Sequence, residues 1–160
     1  APRHFRFSND GKFIYLMYEQ KNVIDVYTYE GNDRVPQIEK IQTISTMGPK
    51  GKKIAAACCM RFSEDQQYVY CGNAGDETVS IFRRNAETGM LELLCSLPPS
   101  GEYPKDIAVF PDNKHIAVMN HESGNITFFA VDYEKGLLVM CAKEIKCNQP
   151  NCCAIVRVAP

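Results

Sequence analysis

The same pattern of short strands and turns occurs three times in this sequence of 160 residues. The copies cover residues 4–29, 59–84 and 106–131, and they align without a gap on one shared aspartate, which is Asp10, Asp65 or Asp112. The shared aspartates are 55 and 47 residues apart, so the variation in length falls in the connections between copies. Repeats with a period of about 40 to 50 residues and alternating apolar strands are typical of propeller blades.

Each copy contains the turn residues that a blade of four antiparallel strands requires. In the first copy Asn9-Asp10-Gly11 separates two apolar runs, and these residue types tolerate the positive φ of a tight hairpin. A third strand ends each copy, and a fourth follows beyond a polar loop. The sequence therefore predicts an all-β propeller fold with three four-stranded blades, at about 3–46, 57–98 and 104–146, and a lone first strand at 152–158.

Three blades do not close a propeller. Sheets that stand side by side leave an apolar face at each end, and repeat folds hide such faces by capping or by closure. Neither end of this sequence has the composition of a polar cap. The chain 1–160 is therefore predicted to be one partial domain of a longer propeller whose remaining blades cover these faces, or else to self-associate through them. Part of a channel cannot enclose a substrate, so the isolated chain is expected to be inactive.

Composition excludes some classes of partner. With 18 basic and 19 acidic residues the net charge is −1, so no nucleic-acid partner is expected, and no apolar run is long enough to cross a membrane. The eight cysteines include the adjacent pairs Cys58-Cys59 and Cys152-Cys153 but no Cys-x-x-Cys. Neighbours on a strand point to opposite faces, so neither pair readily chelates one ion. The cysteines are predicted to be reduced core thiols of a cytoplasmic protein, with no metal and no cofactor.

Charged residues recur at the strand ends away from the shared hairpin turn. Residues six and seven positions before the shared aspartate lie almost opposite those seven to nine positions after it, because the first two strands are antiparallel. In the first and third copies this region holds Arg3, His4, Glu19, Lys105, Asp106, Asn120 and His121. The first strand of every blade lines the central channel, so these residues are predicted to meet at one mouth.

This set has the chemistry of a hydrolytic site. Cations can bind an anionic substrate and polarise a carbonyl, and a carboxylate or an imidazole can direct water at that carbonyl. The alternative is that strand ends are exposed to solvent and carry charge without a function. His115 is on a strand away from the mouth and is predicted to be only a half-exposed side chain.

Four segments resemble those of one known family. Pro2-Arg3-His4-Phe5 with Glu19 is similar to the Gly-Pro-Arg-His and Asn-Glu segments of the lactonase family, seven-bladed propellers of the 6-phosphogluconolactonase and carboxymuconate cyclase type. Tyr103-Pro104-Lys105-Asp106 resembles the Pro-Arg-Asp segment of that family. Asn120-His121-Glu122-Ser123 resembles its Asn-Gln-Asp-Ser stretch, and Thr88-Gly89-Met90-Leu91 resembles its Thr-Gly-Lys-Leu linker. On this resemblance the chain corresponds to the C-terminal half of a family member.

The resemblance implies that water hydrolyses a sugar lactone, 6-phosphogluconolactone, without a required metal. Glu19 or His4 would act as the base, and Arg3 would stabilise the developing oxyanion. The residues that would bind the substrate, an anionic small molecule, are Lys105, Asp106, Asn120, His121 and Asn73.

The middle copy departs from the family. Cys58-Cys59-Met60-Arg61 stands where relatives carry an acidic residue and a histidine, and Ala74 stands where they carry an arginine. Loss of one fixed donor in a dry site can cost about 3 kcal/mol of transition-state stabilisation. The second hypothesis is therefore a non-catalytic propeller that binds a metabolite or a protein at its rim.

Overall fold

A computed structural model describes residues 1–31, 35–52, 54–156 and 158. Across these residues the chain forms twelve strands and no helix. The strands are β1 (Pro2–Phe7), β2 (Phe13–Tyr18), β3 (Val23–Glu30), β4 (Gln37–Ser45), β5 (Ala56–Phe62), β6 (Tyr68–Ala74), β7 (Thr78–Arg84), β8 (Leu91–Leu97), β9 (Pro104–Val109), β10 (His115–Asn120), β11 (Asn125–Asp132) and β12 (Leu137–Lys146). No helix in this part of the chain could therefore span a membrane.

Consecutive strands pair antiparallel into three sheets of four, β1–β4, β5–β8 and β9–β12. The prediction of an all-β fold with three four-stranded blades is confirmed. The first strand of one blade contacts the first strand of the next, since β5 packs against both β1 and β9. This arrangement places the first strands on a common inner side.

The shared aspartate closes the first hairpin of each blade. In blade 1 the Ser8 hydroxyl donates to Asp10 at 2.5 Å, and in blade 2 the Ser63 hydroxyl donates to Asp65 at 2.7 Å. In blade 3 Asp112 instead accepts the backbone N–H of His115 at 3.0 Å. The residue after each aspartate has a left-handed φ, 70° at Gly11, 57° at Gln66 and 56° at Asn113. The turn chemistry thus explains why this aspartate recurs.

The core lies between blades rather than inside any one of them. Tyr15 of blade 1 is fully buried, donates to the Gly89 carbonyl at 2.8 Å and accepts the Arg84 Nε–H at 2.7 Å, so its hydroxyl joins blade 1 to blade 2. Between blades 2 and 3 the Tyr70 and Tyr133 hydroxyls are 2.5 Å apart. Apolar packing joins the blades, and these buried hydroxyls have the partners that burial requires.

The two outer faces stay open. Phe5 and Phe7 of blade 1 are 48% and 43% exposed, and Val139 and Met140 of blade 3 are 53% and 49% exposed. In the middle blade, which is covered on both sides, Met60 is buried and Phe62 is half-buried at the positions that correspond to Phe5 and Phe7. Exposed apolar faces of this kind fit a unit that packs against further blades.

The sequence predicted a lone strand at 152–158. In the structure residues 152–156 and 158 form no strand, and Arg157 lies outside the described residues. A strand requires a ladder partner, and the described residues offer none to this segment. Pairing with strands elsewhere in a longer propeller stays a prediction.

Candidate functional site

A β-bulge occurs at the same position of all three inner strands. Pro2 pairs with Tyr18 and His4 with Met17, which leaves Arg3 as the extra residue. By the same shift the extra residue is Cys58 in β5 and Lys105 in β9. The predicted register of β1 against β2 is confirmed, while the bulge was not predicted. Bulges redirect side chains next to functional sites, and here they mark one ring of positions around the mouth.

The three inner strands and the segment after β12 enclose a pocket of about 180 Å³. Its lining comes from all three blades, and the residues are Arg3, His4, Cys58, Cys59, Arg61, Lys105, Asp106, Asn151 and Cys152. Four of the predicted site residues therefore share one pocket, because Arg3, His4, Lys105 and Asp106 all contribute to it. Glu19 joins this group through Arg3.

Arg3 connects the pocket to Glu19. Its Nη1 lies 3.0 Å from the Glu19 carboxylate, and its Nε donates to the carbonyl oxygen of Cys58 at 2.7 Å. The two side chains are 28% and 33% exposed, so solvent screens this ion pair in part. The Cys58 carbonyl fixes the guanidinium across the junction of blades 1 and 2. A cation held in this way is preorganised to stabilise negative charge in the pocket.

His4 is held as a neutral imidazole. The backbone N–H of Met60 donates to His4 Nδ1 at 3.2 Å, so this nitrogen carries a lone pair and the ring proton lies on Nε2. Burial lowers the pKa of His4 below its usual 6.5, and the neighbouring arginines act in the same direction. With Nδ1 occupied, His4 offers the pocket a donor, Nε2–H.

Acid is expected to destabilise the fold through His4. Because the pKa of His4 is lowered in the folded state, the unfolded chain takes up the proton first, so the contribution of neutral His4 is complete above pH 6.5 and is lost as pH falls. We expect the melting temperature to fall more between pH 7 and pH 5.5 in the wild type than in His4→Asn, which does not titrate. Equal acid slopes for the two proteins would contradict this assignment.

Lys105 and Tyr103 form the blade 3 side of the mouth. The ammonium of Lys105 lies 5.0 Å from the centre of the Tyr103 ring, a cation–π contact. The Tyr103 ring lies 6.0 Å from that of His121. Burial raises the pKa of the Tyr103 phenol, and the nearby charges of Cys58 and Glu19 act in the same direction. The sequence alone gave no role to Tyr103 beyond its place as the first residue of Tyr103-Pro104-Lys105-Asp106.

Asp106 lies in the pocket wall but already has a full set of partners. It accepts the Nε and Nη2 hydrogens of Arg61 at 3.0 Å and 2.6 Å, and the backbone N–H groups of Ile107 and Cys153 at 2.9 Å and 3.1 Å. Its side chain is only 4% exposed. This bidentate pair joins blade 2 to blade 3. Both carboxylate oxygens of Asp106 are therefore occupied, which argues against the predicted contact with substrate.

Asn73 and Asn120 are fully buried inside their blades. The Asn73 amide donates to the Thr46 carbonyl at 2.9 Å, and that of Asn120 to the Thr127 hydroxyl at 3.0 Å. Both side chains are completely buried and neither lines the pocket, so neither is accessible to a ligand bound there. His121 lies behind Tyr103, and its Nδ1 is buried without a hydrogen-bond partner. His115 is 43% exposed and pairs with Asp112, away from the mouth.

All eight cysteines are free, but only part of the prediction of core thiols holds. Cys58, Cys59 and Cys71 are buried, and burial raises the pKa of each thiol. Cys141 and Cys152 are exposed instead, because the outer strand β12 and the segment after it lie on the surface. Within residues 1–31, 35–52, 54–156 and 158, no group of three or more His, Cys, Asp or Glu could hold a metal ion.

Three blades with inner strands that meet at a charged mouth define a partial β-propeller. Residues 1–155 match the family described as lactonase, 7-bladed beta-propeller. The chain belongs to this lactonase family.

Similar proteins include 6-phosphogluconolactonase from Bacillus subtilis, which is 26% identical over 95% of this chain and 43% of its own length. The structure of the periplasmic gluconolactonase PpgL from Pseudomonas aeruginosa superposes with a TM-score of 0.84, at 26% identity, over 94% of this chain and 41% of that one. A protein from Lactobacillus plantarum superposes with a TM-score of 0.80 over 92% of this chain and 42% of its own, at 26% identity. The chain thus spans about two fifths of the length of these relatives.

Proposed function

We propose that this chain provides part of the active site of a lactone hydrolase that acts on an anionic sugar lactone of the 6-phosphogluconolactone type. The observation that carries the proposal is the shared bulge, which aims Arg3 and Lys105 at one pocket and positions His4 beside them. Two cations, an imidazole donor and an adjacent carboxylate are a sufficient set for addition of water to a carbonyl. The names of two similar proteins, a 6-phosphogluconolactonase and a gluconolactonase, support the substrate class.

The contacts of Glu19 and His4 support different roles for the two residues. Since Nδ1 of His4 accepts a backbone N–H, the available atom is Nε2–H, which donates to the lactone carbonyl or to a hydroxyl. Glu19 is then the base. It takes a proton from water as the oxygen of that water bonds to the carbonyl carbon, and the guanidinium of Arg3 stabilises the oxyanion. The ring C–O bond then breaks, and protonated Glu19 returns the proton to the leaving alkoxide, which balances the hydrolysis.

Lys105 supplies the anion subsite. Its ammonium contacts the Tyr103 ring and forms no ion pair with a carboxylate among the described residues, and Lys105 lines the pocket beside Arg3. The charge of Arg3 is partly balanced by Glu19, and that of Arg61 is balanced by Asp106. We assign to Lys105 the binding of the phosphate or carboxylate of a substrate. Asp106, Asn73 and Asn120 instead stabilise the blades.

The remaining blades of a longer propeller would complete the mouth. Relatives are more than twice as long as this chain, and three of seven blades surround less than half of a channel. That the 160 residues alone are inactive and self-associate through their open faces stays a prediction, as does a cytoplasmic location.

The test is Glu19→Gln in a protein that carries these residues and the remaining blades. Without the base the rate of lactone opening above the spontaneous rate is expected to fall at least about tenfold, since general base catalysis contributes on this scale or more. Glu30→Gln, an exposed glutamate at the opposite end of the same blade, is the matched control and should keep the full rate. An unchanged rate in Glu19→Gln would remove Glu19 from the mechanism.

A non-catalytic binding role is the second candidate, and the middle blade favours it. Cys58 and Cys59 are neutral thiols in the pocket wall, and Arg61 is already paired with Asp106. A propeller of this kind would show no lactone opening above the spontaneous rate, while an anionic sugar would still raise its melting temperature. No turnover and no thermal shift together would contradict both candidates.

A further inference from the structure

The loop between β8 and β9 enters the mouth in a strained conformation. Tyr103, its last residue before β9, has a φ of +59°, and Ser100 has a φ of +57°. A left-handed φ is uncommon outside glycine and asparagine, and a bulky aromatic residue there is an outlier. Such strain persists where the surroundings fix it, and it is concentrated at functional sites.

Two neighbouring turns hold the strained residue in place. The N–H of Tyr103 donates to the carboxylate of Glu77 in the β6–β7 turn. Its carbonyl accepts the N–H of His121 in the β10–β11 turn at 2.9 Å, and the N–H of Glu102 donates to the Ser123 hydroxyl at 2.9 Å. Blades 2 and 3 therefore both contribute to the conformation of Tyr103.

These constraints place an aromatic ring beside the anion subsite. The ring is half-buried, with the Lys105 ammonium 5.0 Å and the His121 ring 6.0 Å from its centre. Lys105 follows Tyr103 by two residues on β9 and lines the pocket together with Arg3 and His4. The ring thus contacts the cation to which the proposed function assigns the anionic group of the substrate.

We propose that Tyr103 is the platform on which the ring of a cyclic sugar ligand stacks, and that it favours an anion that carries a sugar ring over a free anion at this mouth. The inference rests on the proposed function for its substrate class. A sugar ring has an apolar C–H face that matches an aromatic face, while its hydroxyls and its anionic group reach the polar atoms around it. Lys105 would hold the anionic group, and Tyr103 the ring attached to it.

The experiment compares two probes, glucose 6-phosphate, which is cyclic and chemically stable, and inorganic phosphate. Wild type, Tyr103→Phe and Tyr103→Gly are titrated with each probe, in a protein that carries these residues and the remaining blades. Tyr103→Gly is expected to weaken binding of glucose 6-phosphate about tenfold while affinity for phosphate stays within about twofold, because loss of the ring removes stacking and leaves the cations. Tyr103→Phe keeps the ring and should bind both probes about as tightly as the wild type.

Glycine is the informative replacement because it adopts a φ of +59° without strain. The melting temperature of Tyr103→Gly is therefore expected to stay at or near that of the wild type, which separates lost stacking from lost folding. The sequence contains no tryptophan, so Tyr103→Trp would place the only indole of this chain in the mouth. Its fluorescence should change with glucose 6-phosphate and not with phosphate.

The outcomes separate this inference from the proposed function, which is measured by lactone opening in the wild type. A selective loss of glucose 6-phosphate binding in Tyr103→Gly supports stacking even if no lactone is opened. Equal losses for both probes, no loss for either, or no binding of glucose 6-phosphate by the wild type would each overturn it, even if lactone opening is observed.

Discussion

Replacement of Asp106 with alanine is expected to lower the free energy of unfolding by about 3 kcal/mol, because removal of one partner leaves the other charge of a largely buried ion pair uncompensated. Four donors converge on this carboxylate, two from Arg61 and one each from the backbone of Ile107 and Cys153. Arg61 is 29% exposed and recovers some hydration, so the estimate is at the lower end of the usual range. Denaturant unfolding of both proteins measures the difference.

Two variants test the physical reason for that loss. Glu92→Ala removes a glutamate that is 73% exposed and 3.9 Å from Arg83, and its effect is expected to stay within about 0.5 kcal/mol. Arg61→Met combined with Asp106→Leu replaces both charges with apolar side chains, and we expect it to recover much of the stability that Asp106→Ala loses. A double variant as unstable as Asp106→Ala would show that the backbone donors, and not the stranded guanidinium, dominate the loss.

The blades could be predicted from the sequence because their determinants are local. Asp10, Asp65 and Asp112 each organise a hairpin through atoms two or three residues away, so their spacing shows where strands begin and end. The antiparallel register then follows, and with it the prediction that residues 3–4 face residues 17–19. Arg3, His4 and Lys105 were found by this geometry alone.

The parts of the site that were missed depend on contacts between blades. Arg61 and Asp106 occupy different repeat positions, so an alignment of repeats does not show their pairing. The bulge at Arg3, Cys58 and Lys105 adds one residue to a strand without any turn residue to mark it. The left-handed φ of Tyr103 is likewise imposed from outside, by Glu77 and His121, at a residue type whose own preference opposes it. Asn73 and Asn120 show the reverse case, in which polar residues at the right strand end turn inward to support their own blade.

The second large effect is expected for Arg3→Ala, in a protein that carries these residues and the remaining blades. The rate of lactone opening should fall about a hundredfold, the usual cost of losing one preorganised donor to an oxyanion. Stability should change by no more than about 1 kcal/mol, because the Arg3–Glu19 pair is partly exposed. Initial rates above the spontaneous reaction, with a thermal melt of each protein, separate the two effects.

Arg6→Ala is the matched control, since Arg6 is on the same strand, is exposed and contacts the Phe5 carbonyl at a long distance of 3.4 Å. It should keep the wild-type rate. Arg3→Lys keeps the charge but loses the planar fork that reaches Glu19 and the Cys58 carbonyl together, so it should recover only part of the activity. Added guanidinium should raise the rate of Arg3→Ala and leave that of Arg3→Lys unchanged, because only the alanine variant leaves space for it. Equal rates for Arg3→Ala and Arg6→Ala would mean that Arg3 holds Glu19 and the blade junction without touching the reacting carbonyl.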